Sequence, residues 1–65
     1  MKNLIKELRQ EKNLTATALA KKVGISRQSL FAIETNKAIP KVETLMAIAK
    51  ALNCRLELLA KEYQK

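Results

Sequence analysis

A chain of 65 residues is a single small domain. At that length folding hides only about 60% of the surface of the unfolded chain, so stability is marginal and a second copy is a natural complement. An apolar content of 48% excludes a disordered tail, aromatics at 3% require an aliphatic core, and a net charge of +7 points to a polyanionic partner.

The residue types that are scarce exclude further classes. There is no histidine, and Cys54 and Gly24 are the single cysteine and glycine. No zinc cluster, internal disulfide or phosphate-cradling glycine loop can be assembled from them. An enzyme is therefore not expected, nor a cofactor. No apolar run approaches the roughly 18 residues that span a bilayer, and no secretory signal is visible. The expected location is the cytoplasm, with no membrane partner.

In chain order, the first helix is predicted over residues 3–12. Asn3 is its N-cap, Leu4, Ile5 and Leu8 form its apolar face, and Lys2, Lys6, Glu7 and Gln10 lie outside. Asn13 and Leu14 break it, with Leu14 turned inward. The second helix starts after Thr15 and ends at Gly24. Its residues Ala16, Leu19, Ala20 and Val23 recur at i, i+3, i+4 and i+7. Ile25 then enters the core and Ser26 caps a third helix over residues 27–35. Leu30 and Ile33 face inward there, and Arg27, Gln28, Phe31 and Thr35 form an outer strip. Asn36 suits a left-handed turn, and residues 36–41 form a loop stopped by Pro40. The fourth helix covers residues 42–52, with Val42, Leu45, Ile48, Ala49 and Leu52 on one face.

Residues 54–65 read two ways. With period 2, Cys54, Leu56, Leu58 and Ala60 face one side and Arg55, Glu57, Leu59 and Lys61 the other. With period 3.6, Leu52, Leu56, Leu59 and Tyr63 make a stripe. Arg55 stands where a new helix would need a capping side chain, which favours a strand over residues 54–60. A lone strand needs a partner, and the same strand of a second chain would supply it. In either conformation Cys54, Leu56, Leu58, Leu59 and Tyr63 are the expected homodimer surface. Lys61 and Lys65 read as a solvated tail.

The second and third helices and their turn run Ala16-Thr17-Ala18-Leu19-Ala20-Lys21-Lys22-Val23-Gly24-Ile25-Ser26-Arg27-Gln28-Ser29-Leu30-Phe31-Ala32-Ile33, followed by Glu34-Thr35-Asn36-Lys37 and Pro40 before a leucine-rich helix. Ala20 is small where two helices must approach, Gly24 makes the sharp turn, and Leu19, Val23, Ile25, Leu30 and Ile33 fill the wedge. The pattern resembles the helix-turn-helix of the phage-repressor (Xre) family over about residues 3–53. The resemblance implies an all-α, compact four- to five-helix phage-repressor-like domain. It has its helix-turn-helix at residues 16–35 and a dimerisation segment at residues 54–63.

The implied function is a transcriptional regulator that binds double-stranded DNA, a repressor on a palindromic operator. Charge agrees independently. Residues 12–41 hold Lys12, Lys21, Lys22, Arg27, Lys37 and Lys41 against Glu34 alone. In the family the third helix lies in the major groove, which implies base contacts for Arg27, Gln28 and Phe31. Arginine suits guanine, glutamine suits adenine, and a phenyl ring suits the thymine methyl. An equal alternative packs Phe31 on the loop at residues 36–40. Thr15, Thr17, Ser29, Lys37 and Lys41 are implied phosphate contacts. Arg9 and Glu34 match positions of a buried ion pair that orients the first helix on the third.

Two positions depart from the family pattern. Ala16 replaces a glutamine that clamps a phosphate, and Lys41 replaces a serine cap on the fourth helix. The segment Ala51-Leu52-Asn53-Cys54-Arg55-Leu56-Glu57-Leu58-Leu59-Ala60-Lys61 also resembles HipB-type antitoxins. In those the fourth helix runs into a strand paired across the homodimer, which implies a kinase-fold toxin as partner and repression of the pair's own operon.

Overall fold

The computed structural model describes residues 3–63; Lys2 and Lys65 lie outside the described residues. Among them five helices follow one another: α1 (Leu4–Glu11), α2 (Ala16–Val23), α3 (Arg27–Glu34), α4 (Val42–Leu52) and α5 (Leu56–Ala60). A 3₁₀ turn, Lys61–Tyr63, closes them. No strand occurs among the described residues.

Local chemistry explains most boundaries. Asn3, Thr15 and Ser26 cap α1, α2 and α3 with side-chain oxygens that accept from backbone amides. Among the described residues, four take positive φ at the exits: Asn13 (57°), Gly24 (84°), Asn36 (61°) and Asn53 (55°). Asparagine and glycine are the residues that enter this region at least cost. At the helix-turn-helix corner, the amides of Gly24 and Ile25 both donate to the carbonyl of Ala20, at 2.9 and 3.0 Å. A Cβ on Gly24 would meet nothing within 4 Å. Gly24→Ala is therefore a backbone penalty alone. It is expected to cost about 1–2 kcal/mol, read as a lower urea midpoint, with Gly24→Asn costing less.

The core is aliphatic: Ile5, Leu19, Ala20, Leu30, Ile33, Leu45, Ile48, Ala49, Leu52 and Leu59 are buried. Leu14, Val23 and Ile25 pack against it half-buried. Ala20 is buried between neighbours, as a tight α2–α3 approach demands. Val42 corrects the expected face of α4, because it is 67% exposed. It opens the helix beside Ile39 and Met46, which are exposed too.

The larger correction concerns residues 54–60. They form no strand but α5, begun by Arg55 without a side-chain cap bond. The 3.6 period wins because it seats Leu59 in the core with no exposed surface at all. That burial outweighs the missing cap. It also withdraws Leu59 from the expected dimer surface, since the side chain is consumed by its own chain. The antitoxin resemblance loses the strand on which its cross-dimer pairing depended.

Candidate nucleic-acid interface

The site is built on α3. Ser26 Oγ accepts from the Ser29 amide at 3.0 Å and donates to Ser29 Oγ at 2.9 Å, so the first turn is pinned. The same bonds occupy part of the Ser29 hydroxyl, which keeps its own proton to donate. Arg27, Gln28 and Phe31 stand outward from this turn and all are exposed. Phe31 is 60% exposed, which leaves its ring on the surface. Thr35, the last member of the outer strip, turns its hydroxyl back to the carbonyls of Phe31 and Ala32 at the helix end.

An ion pair fixes how α3 sits on α1. Arg9 Nε donates to Glu34 Oε2 at 2.8 Å and Nη2 donates to Oε1 at 3.2 Å, a bidentate fork. Arg9 Nη1 adds a bond to the carbonyl of Leu14 at 2.8 Å, tying in the turn after α1. Both side chains are nearly enclosed, at 12% and 5% exposure. Their charges are committed to each other.

Beside this pair lies a depression of about 450 Å³, lined by Lys6, Arg9, Ala16, Arg27, Gln28, Phe31 and Glu34. Ala16 is a small residue in its lining. By sequence Lys6 is only an outer residue of α1, yet it shares the rim with Arg27 and Gln28. The signal was available: Lys6 stands three residues before Arg9, hence on the same helix face.

The remaining expected contacts surround this centre. Thr15 and Thr17 are exposed at the start of α2, and the Thr15 hydroxyl accepts from the Ala18 amide at 3.0 Å. Lys37 and Lys41 are exposed on the loop after α3. Lys41 is the N-cap of α4 and makes no side-chain cap bond, leaving its ammonium to solvent. At the far end, Cys54 and Leu56 are half-buried, and Leu58 is 43% exposed. Burial pushes the Cys54 thiol up, against the opposing pull of Lys12, so it stays a thiol at neutral pH. Tyr63 is half-buried and its hydroxyl donates to the carbonyl of Ile33 at 3.2 Å.

The profile of the family described as "Helix-turn-helix" matches residues 5–59. The chain belongs to this family. It is of the Xre, or phage-repressor, type. An uncharacterised HTH-type transcriptional regulator of Methanocaldococcus jannaschii is 44% identical over 57 residues, 88% of this chain and 86% of that protein. The immunity repressor protein of Bacillus phage phi105 is 38% identical over 58 residues, 89% of this chain but 40% of the repressor. Among solved structures, SinR in complex with DNA, described as the master regulator for biofilm formation, is similar at a TM-score of 0.83 and 29% identity. That match covers 89% of this helix-turn-helix chain and 94% of SinR as solved.

Proposed function

We propose that this helix-turn-helix protein is a sequence-specific regulator of transcription that binds double-stranded DNA. It acts in the cytoplasm as a homodimeric repressor on a palindromic operator. The observation that carries the reading is the strip Arg27, Gln28 and Phe31. These three exposed side chains stand at the capped start of α3, whose attitude is set by the Gly24 corner and the Arg9–Glu34 fork. In this docking the α3 start enters the major groove, Arg27 and Gln28 meet base edges, and Phe31 meets a thymine methyl. Thr15, Thr17, Ser29, Lys37 and Lys41 face phosphates on either side. The names of the phage repressor and of the SinR complex support the same direction.

The deciding experiment is selection of bound duplexes from a random pool at near-physiological salt. A palindrome with half-sites about 34 Å apart supports the reading; absence of any enriched sequence overturns it. On the selected operator, Arg27→Ala and Gln28→Ala are each expected to cost about 1–3 kcal/mol and to relax discrimination at single bases. Lys37→Ala is expected to weaken all sequences alike and to reduce the salt slope by about 1. For the dimer, Leu58 is the residue to change, because it is the exposed leucine of the segment at residues 54–63. Leu58→Asp is expected to give monomers by sedimentation, and a persisting dimer would move the interface elsewhere.

A further inference from the structure

Three distant parts of the chain meet at the end of α3. The side-chain amide nitrogen of Asn3 lies 3.1 Å from the carbonyl of Ile33, 2.8 Å from Asn36 Oδ1 and 3.3 Å from the Tyr63 hydroxyl. Tyr63 donates in turn to the Ile33 carbonyl, which also accepts from the Asn36 amide at 3.2 Å. Asn3 is 1% exposed, and its own Oδ1 is committed to the amides of Ile5 and Lys6. A buried amide so fully used fixes its surroundings, because any displacement leaves polar atoms unpaired.

What this knot holds is the exit from α3. Asn36 takes the left-handed conformation there, and the next amide, of Lys37, bonds back to the carbonyl of Ala32 at 2.8 Å. The direction in which Lys37 leaves α3 is thus decided by Asn36, and Asn36 is held by Asn3. The helix end already has its backbone bonds; the side chains of Asn3 and Tyr63 add a constraint on the loop.

We infer that Asn3 and Tyr63 are positioning residues for DNA binding, which act through Asn36 to place Lys37 against the phosphate backbone. The inference rests on the function proposed above. It assigns the first and last described residues of the chain to affinity for DNA, although neither touches it.

The test uses the full chain on its selected operator. Tyr63→Phe keeps the ring and removes the hydroxyl. Asn3→Ser keeps a competent helix cap and removes the amide donor. Affinity is measured across a range of salt on protein shown to be folded at the assay temperature. Each variant is expected to reduce the slope of log K against log salt by up to about 1, the share of one phosphate contact. Discrimination between operator and mismatched duplex should stay unchanged. Combined with Lys37→Ala, neither should reduce the slope further.

A lowered melting temperature with the slope intact would reduce the knot to a structural role and overturn the inference. If Asn3→Ser does not fold, Tyr63→Phe decides alone. Failure of the wild-type chain to prefer any duplex would sink the proposed function instead. The two failures are therefore distinguishable.

Discussion

Glu34→Ala is expected to cost about 3–5 kcal/mol, close to the whole stability of a domain this small. The carboxylate is 5% exposed and receives both arms of the Arg9 guanidinium. Removing it leaves Arg9 charged, 12% exposed and without the fork it was desolvated to make. Arg9→Ala should cost a similar amount, and it also strands the Leu14 carbonyl at the turn after α1. Urea denaturation by circular dichroism reads both, as a fall in midpoint with the m-value retained for a two-state loss.

The double replacement Arg9→Met with Glu34→Leu separates an ion pair from an apolar contact of the same shape. It removes both charges together, so it should recover most of the stability lost in either single variant. With Arg9→Met and Glu34→Leu also made singly to close the cycle, strong non-additivity is the signature of a direct pair. If the single losses simply added, the fork would not be what joins α1 to α3. Under the proposed docking, operator affinity is a second readout, since the fork joins α3 to α1.

The order of the helices was legible because each boundary is made by neighbours in sequence. Asn3, Thr15, Ser26, Gly24, Asn36 and Asn53 act within one turn of where they stand. The outward strip at Arg27, Gln28 and Phe31 was legible for the same reason, because a 3.6 period separates it from Leu30 and Ile33. Three things were not. Val42 looks like a core residue by spacing, but its Cα lies in the first turn of α4, where no helix covers that face. The Asn3 knot joins positions 30, 33 and 60 residues apart, and no local pattern encodes such a meeting. The end of the chain misled because two periods fit it equally and the absence of a cap favoured the wrong one.

Leu59→Ala tests that last point with the second-largest effect. Five residues without a cap do not hold a helix by themselves. α5 exists because Leu59 is fully buried in a cluster with Ile5, Ile48 and Leu52. Truncating it is expected to cost about 2–5 kcal/mol. Leu58, one residue earlier and 43% exposed, should change the stability of the isolated chain by no more than about 0.5 kcal/mol when made alanine. A strand over residues 54–60 reverses this order. It would set Leu58 inward with Cys54 and Leu56, turn Leu59 away, and make Leu58 the costlier truncation of the two. Urea midpoints of both variants at two protein concentrations therefore decide between periods. A large, concentration-independent loss at Leu59 means that the segment completes its own core first, and that any dimer forms on what remains exposed, Leu58 foremost.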